Sequence, residues 1–244
     1  MDNLWKYIIC SSAVVLAAMV LAAAYTTKSR GQGTITVTGL AETEFTSDMV
    51  VINGDITIRS ENAAAGYIEL EKQSKQVCEF LIEKGVKAES ISFAMPAARE
   101  VFSNVYEDGD YRGERFAGYV LRQSFSIESM EIDSVEVAAR ALPSLMAEGV
   151  MVSVDEPLYY YTQLDGVKHD LIGAAAKDAR ERAEIIATNS QTRLGELSNS
   201  RAGVFQITSA TGNEAFSAGG SFNLSSREKK ARVTVRAEYK IRNN

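Results

Sequence analysis

Hydrophobic and polar residues alternate along two stretches near the start of the chain, residues 34–40 and 48–59. In the second stretch, one face of the predicted strand carries the apolar side chains Val50, Ile52, Ile56 and Ile58. The other face carries Val51, Asn53, Asp55 and Thr57. A period of two with one apolar face predicts a sheet that is packed on one side and solvated on the other.

Apolar residues at helical spacing predict three helices in the body of the chain. The first begins after an N-cap at Ser60 or Asn62 and ends at Gly85. The second covers about residues 131–148 and the third about 164–189. The third helix is rich in alanine, and these small side chains allow a close approach to a sheet or to another helix.

Further strands are predicted at about residues 90–102, 115–128, 150–162, 202–210 and 230–242. A polar, glycine-containing stretch, residues 106–114, would be the loop that connects the first two of them as a hairpin. The resulting order of elements predicts an α+β fold, or an α/β sandwich. In either case largely antiparallel sheets would be packed by helices in two βα-type halves.

An uncharged, mostly apolar stretch from Tyr7 to Tyr25 precedes this pattern. As a helix it is long enough to cross a hydrocarbon layer of roughly 30 Å. Ala22 and Ala24 also form the A-x-A pattern that is typical of a signal-peptide cleavage site. We expect residues 1–30 to be a signal or transmembrane segment, with an uncleaved anchor favoured. Residues 31–244 would then form one domain outside the cytoplasm.

The chain of 244 residues has 26 Lys and Arg against 32 Asp and Glu, a formal net charge of −6. This balance argues against a nucleic-acid-binding surface, which needs clustered basic charge. The chain has one histidine and two cysteines, so metal sites with several histidine ligands are excluded. We predict no catalytic residue, metal or cofactor. His169 is expected at the surface, and Cys78 is expected to be a small buried side chain unless it proves exposed and reactive.

A glycine- and serine-rich segment, residues 211–226, is long for a simple connection between strands. It contains two aromatic residues in a polar setting, Phe216 and Phe222. One hypothesis is a binding module in which these two residues contact a small ligand or an exported protein partner. The alternative is an ordered connecting loop whose aromatic residues fix it to the body.

Several stretches, in this order, resemble the SIMPL domain family of bacterial envelopes. The stretch Val37–Gly39, followed by Ser47-Asp48, is similar to the family's first strand pair. The most specific similarity lies in the long helix and the residues just after its end: Ala175, Asp178, Ala179, Arg180, Ala183, Ala187, Leu194 and Gly195. Other matching positions are Gly85-Val86, Gly118-Tyr119, residues 203–208, Gly220, Phe222-Asn223 and Ser225-Ser226, the last ones typical of a membrane-anchored subgroup. The chain departs from the family at Ser47, where Pro is frequent, and near Ala41, where a second glycine is missing.

The resemblance covers roughly residues 33–242 and implies an exported or envelope-associated protein. Some members of the family assemble into ring-like oligomers and some are linked with oxidative-stress tolerance, and no catalytic residues are attached to the family. We therefore expect a non-enzymatic, membrane-anchored protein with its body in the periplasm, which forms homo-oligomers through sheet edges or helical faces. Asp178 and Arg180 are expected to stabilise the fold through a helix-to-strand salt link.

Overall fold

The computed structural model describes residues 12–13, 15–22, 33–212 and 217–242. The strands are β1 (Thr34–Thr46), β2 (Met49–Ser60), β3 (Ile91–Phe93), β4 (Ala97–Glu107), β5 (Asp110–Ser129), β6 (Val152–Val154), β7 (Leu158–Tyr160), β8 (Arg193–Ala202), β9 (Gln206–Ser209), β10 (Ser221–Phe222) and β11 (Glu228–Arg242). The helices are α1 (Ala63–Glu83), α2 (Ile132–Ala141) and α3 (Leu164–Asn189), with short 3₁₀ helices at Ala88–Ser90 and Leu142–Glu148. The fold is α+β, as predicted.

The strands form two sheets, and most neighbouring strands are antiparallel. In one sheet the order is β1-β11-β9-β10, and β8 also pairs with β11. Strand β10 is parallel to β9, whereas β8 and β9 are antiparallel to β11. In the other sheet the order is β3-β5-β2-β6, with β4 paired to β5 and β7 paired to β2. These pairs are antiparallel.

The chain divides into two compact units that are interleaved along the sequence. Of the described residues, the first unit contains 12–13, 15–22, 33–41, 170–203 and 233–242, and the second contains 42–169, 204–212 and 217–232. The units therefore do not correspond to two consecutive halves of the chain. Strands β1 and β11 and helix α3 each begin in one unit and end in the other.

The core of the second unit lies between its sheet and helices α1 and α2. The predicted apolar face of β2 is buried, with Val50, Ile52 and Ile56 fully inaccessible. Helix α1 begins at the predicted cap, where Asn62 Oδ1 accepts a hydrogen bond from the Ala65 backbone N–H. The helix is followed by Gly85, whose φ of +92° suits a glycine at a helix end.

The first unit is built around the alanine-rich helix α3. Its buried side chains follow one another at intervals of four residues: Leu171, Ala175, Ala179, Ala183 and Ala187. Ala179, Ala183 and Ala187 pack with Ile35 and Val37 of β1 and with Ala237 and Tyr239 of β11. The prediction that alanines allow a close approach is confirmed at Gly39. A Cβ built there would lie 2.2 Å from the Ala175 carbonyl oxygen.

Asp178 is linked to the sheet by a hydrogen bond from the strand backbone, whereas the sequence predicted a salt link. Asp178 Oδ2 accepts a hydrogen bond from the Leu40 backbone N–H at 2.7 Å, and Arg182 Nε lies 2.8 Å from the same atom. These donors, the Leu40 N–H first, lower the pKa of Asp178. Arg180 instead pairs with Glu184 on the same helix, at 2.9 Å. The link from helix to strand is therefore a hydrogen bond to the backbone.

Four sequence predictions differ from the structure in detail. The predicted helix at 131–148 changes to a 3₁₀ helix after Ala141, where Pro143 has no backbone N–H to donate to the α-helical hydrogen-bond ladder. The predicted strand at 150–162 is divided into β6 and β7, with Pro157 between them. Strand β8 was not predicted. The predicted loop at 106–114 belongs mostly to strands β4 and β5.

The predicted anchor at residues 7–25 lies largely outside the described residues. Within it, residues 12–13 and 15–22 are helical and their side chains are exposed. Among the residues that the structure describes, no helix combines the length and apolar character needed to cross a membrane. The position of this segment therefore stays a prediction.

The polar face of β2 carries a buried carboxylate, Asp55, where the sequence predicted a solvated side chain. Asp55 is only 8% exposed. Arg122 donates hydrogen bonds to both of its oxygens, the Nε–Oδ1 distance being 2.7 Å, and Ser124 Oγ donates to Oδ1 at 2.6 Å. The hydrogen bonds from Arg122 and Ser124 lower the pKa of Asp55, and the bond from Arg122 has the largest effect. Burial acts in the opposite direction but is outweighed. The charged form is therefore the one that the fold stabilises.

Replacing Asp55 by asparagine is expected to lower the free energy of unfolding at pH 7 by about 1–2 kcal/mol, since charge-assisted hydrogen bonds are lost. A carboxyl whose folded pKa is depressed contributes stability above its unfolded pKa and loses it as the pH falls through the folded pKa. The difference between wild type and Asp55→Asn should therefore shrink below about pH 4. Urea unfolding at pH 7 and pH 3 measures this difference in unfolding free energy. The control is Asp170→Asn, which changes an exposed carboxylate. A difference that is equal at both pH values would contradict the assignment.

Candidate interaction surface

Strands β4 and β5 continue past β2 as a two-stranded hairpin. From Tyr119 to Ser129, β5 pairs with β2, but among the described strands residues 110–118 pair with β4 alone. We call residues 99–118 the arm. At a rise of about 3.3 Å per residue, the part without β2 extends roughly 30 Å. Both of its edges therefore carry backbone groups that pair with no further strand in the described part of the chain.

The tip of the arm is a two-residue turn formed by Asp108 and Gly109. Their φ angles are +54° and +88°, and both residue types tolerate this left-handed region. An Asp-Gly pair at this place favours a tight turn whose twist matches the flanking strands. The predicted hairpin connection is confirmed, but its loop is shorter than the expected residues 106–114, since Glu107 already pairs with Asp110.

One face of the arm carries a row of aromatic rings. Strand pairing places Phe102 opposite Phe116 and Tyr106 opposite Tyr111, and Tyr119 continues the row at the base. The ring centroids of Phe102 and Phe116 are 6.0 Å apart, and those of Tyr106 and Tyr111 are 5.8 Å apart. Those of Phe116 and Tyr119 are 5.2 Å apart, and in all three pairs the ring planes are steeply inclined to each other. We call these five residues the aromatic ladder. Edge-to-face packing of this kind stabilises the hairpin.

The ladder is largely uncovered. Phe102 is 49% exposed, Phe116 44%, Tyr106 62% and Tyr111 56%. Taking about 200 Å² for an aromatic side chain, these four expose roughly 400 Å² in total. The polar pair Asn104–Glu114 lies between the two aromatic pairs. Exposed aromatic surface of this extent on one face makes the arm a candidate interaction site.

Both faces of the arm carry charged residues. Glu100 lies opposite Tyr119 and Glu114 opposite Asn104, so both share the face of the ladder, which we call the aromatic face. Arg99 and Arg115 lie on the opposite face together with Val101 and Val105 and, next to the tip, Glu107 and Asp110, and we call this the arginine face. Glu100, Glu114, Arg99 and Arg115 are exposed. Within the described part of the chain, none of the four takes part in an ion pair.

The segment that was predicted to bind a partner is partly described. Phe216 lies outside the described residues, whereas Phe222 belongs to β10 and is 51% exposed. Buried polar side chains hold the neighbouring backbone. Gln206 Nε2 donates to the Ser217 carbonyl at 2.7 Å, and Lys229 Nζ donates to the Asn223 and Ser226 carbonyls. These contacts favour the connecting-loop interpretation, and partner binding through Phe216 and Phe222 stays a prediction.

A groove of about 590 Å³ lies between α1 and the neighbouring strands of the second unit. Cys78 lines it with Tyr67 and Phe93. The thiol is half-buried, so Cys78 is not the fully buried side chain that the sequence suggested. At the floor Ser74 Oγ donates to Gln123 Oε1 at 2.6 Å, and Gln123 Nε2 donates to the Ala94 carbonyl, which leaves this groove mainly apolar.

The remaining candidate residues have structural or surface positions. His169 is exposed, as predicted, and the described residues contain no cluster of potential metal ligands. Three consecutive tyrosines occupy positions 159–161. The Tyr159 hydroxyl donates to Glu136 Oε1 at 2.7 Å, and burial together with this bond raises the pKa of Tyr159 to about 12. The Tyr161 ring lies 4.8 Å from that of Phe45. Tyr159 and Tyr161 therefore have packing roles.

The family model SIMPL, described as a protein of unknown function (DUF541), matches residues 35–239. The chain belongs to the SIMPL family. The match includes the arm, α3 and the segment around Phe222, so each of these features lies within the SIMPL domain.

Other comparisons add little to this membership. No curated protein matches the chain. One solved structure that it resembles is a de novo designed protein, Foldit4, at 10% sequence identity and a TM-score of 0.25. The similarity covers 44% of this chain and 93% of the designed one, and it is too weak to inform either fold or function.

Proposed function

We propose that this SIMPL protein is a non-enzymatic, membrane-anchored envelope protein whose body faces the periplasm and self-associates. The observation that carries the proposal is the exposed aromatic ladder of the arm. A two-stranded hairpin is only marginally stable in water without further packing. Half-exposed aromatic rings along its length are accounted for when a second surface covers them.

The anchor is supported by residues 7–25 and by the absence of charge between Tyr7 and Tyr25. Anchoring in a membrane also raises the local concentration of the body, since the chains move in two dimensions close to one another. Weak contacts through the arm then suffice for association. A link to stress tolerance remains an expectation from the family resemblance and needs no additional site on this chain.

The proposal predicts that the full-length chain, extracted from membranes in mild detergent, has a mass of several chains by light scattering corrected for detergent. Because detergent removes the concentrating effect of the membrane, the mass should be highest at the upper end of the concentration range and fall on dilution. A strictly monomeric chain over a hundredfold range of concentration would contradict self-association.

Membrane attachment is checked in the same preparation. Placing lysine at both Leu16 and Val20 costs several kcal/mol of insertion free energy, about 3 kcal/mol for each charge near the centre of the span. This variant should leave the carbonate-washed membrane pellet, whereas Val137→Lys, at an exposed position of α2, should remain in it. If wild type is found free in the cytosol, the anchor is wrong.

A further inference from the structure

We infer that the first unit docks, through one face of its sheet, on anionic headgroups of the membrane that holds the predicted anchor. This inference rests on the proposed anchor and adds a second contact with the same membrane. The docking surface, which we call the basic face, is formed by five exposed side chains of β8 and β11: Arg193, Arg201, Arg236, Lys240 and Arg242.

The basic face lies on the side of the sheet that is turned away from α3. In the first unit, β11 pairs with β1 and with β8. Ala237 and Tyr239 of β11 pack against α3. Because side chains alternate along a strand, the basic residues of β11 point to the opposite side, and strand pairing places those of β8 beside them. The exposed residues of β1 on this side are threonines: Thr34, Thr36 and Thr38.

Two pairs of arginines lie directly opposite each other on the basic face. Arg236 pairs with Arg201, and Arg242 pairs with Arg193. Like charges at directly opposite positions destabilise a sheet, because their Cβ atoms are only about 5 Å apart. Glu196 lies 3.3 Å from Arg242, whereas the other three arginines take part in no ion pair within the described residues. An anionic surface that covers both pairs removes this repulsion.

The basic face contrasts with the acidic chain that carries it. The whole chain has a formal net charge of −6. Beside the five basic residues, however, β8 and β11 place only two acidic ones in this part of the sheet, Glu196 and Glu238. From Arg236 to Arg242 the face extends roughly 20 Å, at a rise of about 3.3 Å per residue. A strip of basic side chains attracts anionic headgroups within a Debye length, about 8 Å at physiological ionic strength.

The connection to the anchor keeps the basic face close to the membrane. Seven residues, 26–32, separate the predicted anchor from Gly33. A chain of this length spans at most about 25 Å. The Gly33 carbonyl accepts a hydrogen bond from the Ile241 N–H at 2.8 Å, so this connection enters the sheet next to the Arg193–Arg242 pair. The connecting residues include two further basic ones, Lys28 and Arg30.

Nucleic acid is also polyanionic, but it fits the basic face less well than lipid headgroups do. Proteins that bind single strands combine basic charge with aromatic side chains on which the bases stack. The described residues on this side of the sheet carry threonines next to the basic side chains and no aromatic ring. A lipid headgroup needs only charge and hydrogen-bond donors, and this face supplies both.

The test reconstitutes the full-length chain into vesicles and measures how accessible this side of the sheet is. A nitrobenzoxadiazole label is attached at Thr36→Cys, in a chain in which Cys10 and Cys78 are changed to serine. In vesicles of equal parts phosphatidylglycerol and phosphatidylcholine, acrylamide should quench the label about threefold less than in phosphatidylcholine alone. The difference should disappear in about 1 M salt, where the Debye length is about 3 Å. A label at Lys177→Cys, on the exposed side of α3, should be quenched equally in both.

Charge reversal tests the residues themselves. Arg201→Glu with Arg236→Glu should restore full quenching at Thr36→Cys in the anionic vesicles. This variant keeps a like-charged pair at exposed positions, so its far-UV circular dichroism should match that of wild type. The matched control, Lys177→Glu with Arg180→Glu, makes the same change in net charge on α3 and should leave the protection intact.

Flotation of the same samples separates docking from anchoring. Equal quenching at the labelled threonine position in a chain that floats with both kinds of vesicle overturns docking and leaves the anchor in place. A chain that floats with the anionic vesicles alone, and loses this on charge reversal, supports docking and shows that the anchor is wrong. If it floats with neither, both are wrong. Protection by oligothymidine and not by phosphatidylglycerol would assign the basic face to nucleic acid and overturn the lipid contact.

Discussion

Replacing Gly39 by alanine is expected to destabilise the protein by about 3 kcal/mol or more, at the upper end of what overpacking costs. The added Cβ would lie 2.2 Å from the Ala175 carbonyl oxygen and 2.4 Å from the Ala179 backbone nitrogen. These are backbone atoms of α3, so no side chain can rotate away to make room. Strand β1 and helix α3 would have to separate, which exposes the alanine row that packs against β1.

The matched control is Gly173→Ala, on the same helix. Gly173 is exposed, and a Cβ built there has no neighbouring atom within 4 Å. Alanine in a helix interior is more favourable than glycine by about 0.5–1 kcal/mol, so this variant should be slightly more stable than wild type. Urea unfolding followed by circular dichroism compares the two. If both variants unfold at the same denaturant concentration, the close approach at Gly39 does not control stability.

The elements that the sequence predicted well are those whose buried face is set by their own periodicity. Strand β2 shows this, since Val50, Ile52 and Ile56 alternate with polar residues and prove fully buried. Helix α3 was predicted at residues 164–189 and occupies those residues. In both cases the pattern is local, because a strand or a helix presents fixed positions to one side.

The pattern alone could not show which apolar residues would be covered. In α3 the large apolar side chains of Ile185 and Ile186 are 62% and 44% exposed, whereas the smaller alanines face the sheet. The reason is the short distance to Gly39, which only small side chains permit. Strand β8 was missed for a different reason. It is mostly exposed and has almost no apolar face from which a strand could be predicted.

The sequence predicts the hairpin but not the length of its strands, because the polar composition of residues 106–114 favours a long loop where the structure has a two-residue turn. The Asp108-Gly109 pair is a usable signal, since this dipeptide between alternating stretches favours a hairpin turn. The rings of Phe102 and Tyr106 remain uncovered because β2 ends before it reaches them. Where β2 ends is set by its pairing with β5 in the folded protein, which the local sequence does not show. Sequence composition instead favours Phe216 and Phe222, in a segment whose described part is held by buried polar groups.

Replacing Lys229 by methionine is expected to cost about 3 kcal/mol of unfolding free energy and to loosen the segment after β10. Lys229 is 1% exposed, and its Nζ lies 2.6 Å from the Asn223 carbonyl oxygen and 2.7 Å from that of Ser226. Methionine has a similar volume and no donor, so both carbonyls lose a charge-assisted hydrogen bond in a buried setting. Urea unfolding measures the loss, and amide hydrogen exchange should show faster exchange at residues 221–227.

The control for Lys229→Met is the same change at the next residue, Lys230. Lys230 Nζ lies 2.9 Å from Glu44 Oε1, but its side chain is 33% exposed and that of Glu44 63%. An ion pair this exposed contributes at most about 1 kcal/mol, so Lys230→Met should be nearly as stable as wild type and should leave exchange at 221–227 unchanged. If the two variants are equally stable, water replaces the ammonium group at the two carbonyls, and the order of this segment comes from β10 and Gln206 instead of Lys229.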